Sequence, residues 1–124
     1  MATKTQRTRI QSNLEKIPEK NIEHQILVWL RSKNIFCFKN VSGGYYDAKI
    51  KRFRKQSSPY AINGTSDILG VLRDGRFLAI ECKSKYGKAT PDQLMFIERI
   101  NFAGGLAFVA KSLEEVQEKL CGLI

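Results

Sequence analysis

The chain has 124 residues, 43% hydrophobic and 27% charged, which suits one compact domain with an ordinary core and leaves little room for a second. Its net charge of +9 and pI of about 9.7 say nothing of fold but favour a polyanionic partner, nucleic acid above all. Three widely spaced cysteines (Cys37, Cys82, Cys121) and a single histidine, His24, argue against a disulfide framework, a structural zinc site and a Ser/His/Asp triad.

Residues 1 to about 12, "MATKTQRTRIQS", read as a basic arm. A helix is expected from near Pro18 through "EKNIEHQILVWLRSK", with Ile22, Ile26, Trp29 and Leu30 as its apolar stripe, Leu27 beside it and His24 on its surface. "IFCFKNV" reads as a strand. Residues 42 to 63 mix glycine, tyrosine and the basic cluster Lys49, Lys51, Arg52, Arg54 and Lys55, which fits a surface loop or irregular hairpin. "DILGVL" and "RFLAIECK" are two strands joined at "RDG", an antiparallel hairpin. "TPDQLMFIERINFAGG" is a helix capped by Thr90, with Pro91 at its first position and Gly104-Gly105 at its end. "LAFVA" is a short buried strand, and "SLEEVQEKLCG" a last helix with Ser112 and Glu115 spaced as a capping box. The strand-helix-strand unit from about 77 to 110 is long enough for a parallel crossover. The fold class is therefore α/β, a mixed central sheet flanked by helices. Residues 1–17 are an arm and lead-in, and 18–124 form one domain.

Strand periodicity puts Glu81 and Lys83 on one face with Phe77 and Ala79, while Leu78, Ile80 and Cys82 take the other. A solvated strand edge gives the same pattern, so the upstream aspartate matters. With a two-residue turn at Asp74-Gly75, Asp67 falls opposite Cys82, on the wrong face. With a three-residue loop, Arg73-Asp74-Gly75, Leu72 pairs with Arg76 and Asp67 lies opposite Glu81. Glycine at the third position is what such a loop and its bulge require, so the second register is expected. Opposed carboxylates repel, and a divalent cation would remove that cost. Oxygen ligands suit Mg²⁺ or Mn²⁺, which can activate water and stabilise charge on a phosphate. Lys83 can orient the water or stabilise the developing oxyanion.

These motifs carry a resemblance. "NGTSDILGVLRDGRFLAIECKSKYGKATPDQLMFIERINFAGGLAFVAKSLEEV" resembles the virus-type replication-repair nuclease (VRR-NUC) branch of the PD-(D/E)XK, restriction-endonuclease-like superfamily, over roughly residues 18 to 118. The family pattern of Gly-x-x-Asp, then Glu-x-Lys, then a glutamine early in the next helix is met by Gly64 to Asp67, Glu81 to Lys83, and Gln93. One departure is Ser66, where the family often has proline, a change not expected to affect metal binding.

The resemblance implies a metal-dependent phosphodiesterase, with Asp67, Glu81 and the Cys82 backbone carbonyl as ligands and Lys83 catalytic. Glu23 maps to a further acidic residue on the first helix, although an early helical glutamate favours the dipole in any case. Gln93 becomes an active-site residue, although Thr90 and Gln93 are also spaced as a capping box. The Cys82 side chain reads as core. Lys49, Lys51, Arg52, Arg54, Lys55 and the tyrosines Tyr45, Tyr46 and Tyr60 would contact DNA backbone or stack on exposed bases.

The expected function is a Mg²⁺/Mn²⁺-dependent DNA endonuclease of replication, repair or recombination, selective for branched DNA such as a Holliday junction. Stand-alone relatives occur in phages and are similar in fold to junction resolvases that act as symmetric dimers, so a homodimer is expected. The alternatives are a basic nucleic-acid-binding module that does not cut, and a ribonuclease. With no signal peptide and no apolar run long enough to span a membrane, a cytoplasmic location is expected, the host's if the chain is phage-encoded.

Overall fold

The computed structural model describes residues 17–41, 45–54 and 58–124. The expected arm lies outside these residues, as does Lys55, and of Tyr45, Phe53 and Arg54 only the backbone is described.

The first helix, α1 (Glu19–Ser32), starts one residue after Pro18, whose extended backbone (ψ 144°) forms the cap. The Pro18 carbonyl accepts from the Asn21 and Ile22 amides. Ile22, Ile26 and Leu30 are buried along one stripe, and Leu27 and Trp29 pack at its margins. His24 is exposed.

Strand β1 (Phe36–Lys39) follows. The basic tyrosine-containing region forms a separate hairpin of β2 (Tyr45–Asp47) and β3 (Arg52–Arg54). Then come β4 (Ile68–Val71), β5 (Phe77–Cys82), α2 (Pro91–Phe102), β6 (Leu106–Ala110) and α3 (Leu113–Lys119). The main sheet has the order β1-β4-β5-β6. Its first three strands are antiparallel, and β6 runs parallel to β5 across the α2 crossover.

The β4–β5 register follows the three-residue loop. Val71 pairs with Phe77 and Ile68 with Ile80. The Leu72 amide donates to the Arg76 carbonyl at 2.8 Å, and the Gly75 amide to the Leu72 carbonyl at 2.9 Å. Gly75 sits at φ +92°, a conformation that a side chain at this position would disfavour.

The sheet divides the core. Leu78, Ile80 and Cys82 point into the larger half with α1 and α3, among Ile22, Ile26, Leu30, Val116 and Leu120. Ala79 and Ala107 point to the smaller half, under Phe96 of α2. Asn101 of α2 donates to the Ala107 carbonyl (2.9 Å) and accepts from its amide (2.8 Å), which covers part of the β6 edge. The last helix departs slightly from expectation. Ser112 accepts from the Glu115 amide, but the Glu115 carboxylate reaches back to the Lys111 amide, one residue outside a true box.

Candidate active site

The site lies where β5 ends and β4 begins. Asp67 stands one residue before β4, so the register places it across from Glu81. Leu72 and Arg76 exchange the hydrogen bond nearest the loop. Alternation along an antiparallel ladder then makes Asp67 and Glu81 a non-hydrogen-bonded pair, the type whose side chains approach most closely. Past Ile68 the ladder is taken over by a side chain, with the Cys82 amide donating to Asp67 Oδ2 at 2.8 Å. The same alternation turns the Cys82 carbonyl toward the Asp67 side of β5. On the other flank the Asn40 amide, just past β1, donates to the Asp67 carbonyl at 2.7 Å.

Glu81 is 2% exposed. Its Oε1 accepts from Gln93 Nε2 at 2.8 Å and lies 3.5 Å from Lys83 Nζ. Its Oε2 is buried and receives no hydrogen bond. Burial first, then the charge of Asp67, push the Glu81 carboxyl up to about 7, against the pull of Lys83. An orphaned buried oxygen, an opposed carboxylate and a carbonyl turned the same way are hard oxygen donors that fit Mg²⁺ or Mn²⁺. No three His, Cys, Asp or Glu side chains form a ligand cluster among the described residues, so protein side chains would supply only part of a coordination shell.

Gln93 serves two partners. Its Oε1 accepts from the Thr90 amide (2.9 Å), completing the capping box with Thr90 Oγ1, while its Nε2 holds Glu81. The start of α2 is fixed in turn by Gly64. At φ +83°, a Cβ there would lie 2.4 Å from the Asp92 carbonyl carbon, so only glycine lets this loop press on the helix.

The remaining sequence candidates are spread more widely. Glu23, on the first turns of α1, is paired with Lys39 Nζ at 3.0 Å. The Cys82 side chain is buried in the larger core. Its thiol is pushed well above its usual range by burial, then by Asp67, Glu23, Glu81 and Glu19. Lys49 and Lys51 lie in the β2–β3 turn, where the Asp47 carboxylate accepts from the Lys49 amide (2.9 Å) and Lys51 takes φ 53°. Arg52 pairs with Asp47 across this hairpin. Tyr46 and Tyr60 are exposed.

Sequence reasoning passed over one cluster beside the carboxylates. After Lys83 the chain turns at Ser84–Gly87, with the Gly87 amide donating to the Ser84 carbonyl at 3.0 Å. Lys111, just past β6, donates from Nζ to the Lys85 carbonyl at 3.1 Å. The available signal was three lysines, Lys83, Lys85 and Lys88, with no acid between Cys82 and Pro91.

A structure search finds a "VRR_NUC domain protein" with a TM-score of 0.62 and 21% identity, covering 88% of this chain and 89% of that one. A scan of protein-family models gives no match, and a search of curated proteins finds no similar sequence. The expected architecture is therefore present: the chain has the fold of a VRR-NUC domain, a mixed α/β sheet flanked by helices. No helix among the described residues is long and apolar enough to cross a membrane.

Proposed function

We propose that this chain is a Mg²⁺/Mn²⁺-dependent DNA endonuclease, selective for branched DNA. The observation that carries this reading is Glu81: buried, opposed to Asp67, with one oxygen held by Gln93 and Lys83 and the other without a donor. A purely structural strand end has little use for a desolvated carboxylate beside a second one. Nucleic acid as substrate accords with the net charge of +9 and with the VRR-NUC fold.

Asp67, Glu81 and the Cys82 carbonyl would hold the divalent ion, which when bound supplies Lewis acidity and a more acidic water. The protein's own groups do the remaining work. Gln93 fixes the rotamer of Glu81. Asp67 is oriented by the Cys82 amide. Lys83 places a cation at the mouth of the carboxylate pair, where charge on the phosphate oxygens grows during in-line attack. Hydrolysis then leaves one strand end as a phosphate and the other as a hydroxyl. Glu23, already paired with Lys39, would contribute acidic character on the α1 side.

We further propose a two-fold dimer. Phe36 and Phe38 on edge strand β1 are exposed, and Val71 and Phe77 continue the Phe36 row. An aromatic row on an edge strand suits a self-complementary contact. Sedimentation of wild type against Phe36→Ser tests it, and a monomer in both removes it.

The nuclease test is cleavage of matched linear, flapped and four-way DNA with Mg²⁺ or Mn²⁺. Glu81→Gln is expected to abolish cleavage with DNA affinity near normal. Binding without metal-dependent cleavage in the wild type would instead favour the non-cutting module, as would a Mn²⁺-induced rise in melting temperature that Glu81→Ala leaves intact.

A further inference from the structure

The turn that follows β5 is built against the site. A Cβ on Gly87 would lie 3.4 Å from Lys83 Cβ and 3.2 Å from Ser84 Oγ, so the chain folds back onto the lysine beside Glu81. Lys111 ties the same turn to the end of β6 through the Lys85 carbonyl, where the Lys83 amide already donates to Ala110. The turn is thus anchored at both sides. At its apex Tyr86 is 66% exposed, and Lys85 Nζ stands over the ring, 5.5 Å from its centroid.

We propose that Tyr86 is a stacking platform for an unpaired nucleotide next to the phosphate engaged at Asp67, Glu81 and Lys83. This rests on the nuclease reading and specifies its substrate: DNA with an extrahelical or single-stranded base beside the cut. Three features support the assignment. Every nucleobase has a π face, and an exposed ring on an anchored turn loses little freedom when a base stacks on it. The cation over the ring comes from the loop itself. Lys83, Lys85 and Lys88 bracket the turn in the sequence without an acid between them, and Lys111 Nζ is held against it at the Lys85 carbonyl, so the local charge is positive where flanking phosphates would lie. A base paired inside a continuous duplex keeps its faces against its neighbours and is unavailable to Tyr86. The turn therefore favours junctions and flaps over intact duplex without reading sequence.

The test uses the full chain in EDTA, so that binding is measured without cleavage. The probes are a flapped DNA with 2-aminopurine at the first unpaired nucleotide and a continuous duplex of the same sequence. Wild type is expected to quench the 2-aminopurine. Tyr86→Ala should lose the quench and bind the flap about 5- to 150-fold more weakly, with a much smaller loss on the duplex. Tyr86→Phe, which retains a ring, should keep both quench and affinity. Equal losses on flap and duplex, or an undiminished quench in Tyr86→Ala, would overturn the proposal. Because the readout is binding, it decides the stacking role whichever way the metal-dependent cleavage assay falls. Cleavage by wild type together with an undiminished quench in Tyr86→Ala would remove the stacking role alone.

Discussion

Gln93 donates to Glu81 Oε1 at 2.8 Å while accepting from the Thr90 amide at 2.9 Å. One amide side chain therefore closes the helix cap and aims the carboxylate. Capping box and active-site residue were alternatives in the sequence. In the structure one planar amide serves both contacts, Oε1 accepting from the Thr90 amide and Nε2 donating to the Glu81 carboxylate.

That division can be separated by mutation. Gln93→Glu keeps an acceptor for Thr90 but sets a third carboxylate against Glu81. With the capping acceptor kept, it should lose stability only through this repulsion, most at neutral pH and least where the carboxyls are protonated, and cleave about 10- to 100-fold more slowly, as for loss of a group that orients a metal ligand. Gln93→Ala should also lose the cap, at about 1 kcal/mol. Urea denaturation and single-turnover cleavage of the two variants measure the parts. Wild-type cleavage by Gln93→Glu would leave Gln93 a cap and nothing more.

A second expectation concerns pH. The Glu81 carboxyl is pushed up to about 7 from its ordinary 4.5, so between those values the folded state holds more proton than the unfolded one. Without metal, the stability that Glu81 itself contributes should be full below pH 4.5 and lost as pH rises through 7, by about 3 kcal/mol at most. Glu81→Gln should remove this contribution. The difference in urea midpoints between wild type and variant, followed from pH 5 to 8 in EDTA, isolates it from other groups. A difference that does not change with pH would contradict the burial argument.

Gly64 offers a test of how the helix start is held. Gly64→Ala forces a Cβ into the Asp92 backbone at φ +83°. The loop or α2 must shift, at a cost on the order of 1–3 kcal/mol. Thermal melts should show it, and cleavage should fall further than stability alone explains because Gln93 moves with the helix. An unperturbed melt would mean the loop relaxes freely.

The β2–β3 hairpin is expected to hold DNA and do no chemistry. Replacing Lys51, Arg52 and Arg54 with glutamine should weaken binding and flatten the slope of log affinity against log salt by about two to three units, if all three touch phosphate. Turnover at saturating DNA should change little, since the contact is the same before and during the transition state. Anisotropy between low and moderate salt decides it, and an unchanged slope would return the hairpin to an ordinary solvated surface.

Local features are legible in the residues alone. The α1 stripe, the Thr90 cap, the "RDG" loop and the alternation of β5 depend on neighbours within a few residues, and the loop length was enough to put Asp67 across from Glu81. Features that join segments far apart in the chain arise only on folding. The charge pattern around residues 49–55 marked a basic hairpin, but nothing local revealed that Lys111 ties down the turn after Lys83, a contact across 26 residues. Nor could strand periodicity say that Glu81 would be closed off from water, since that requires α2 to pack beside it, its start pressed by Gly64 and its end tied to β6 by Asn101. Burial and long-range anchoring arise from packing, and packing is where a patterned strand end becomes a desolvated carboxylate with an oxygen left to fill.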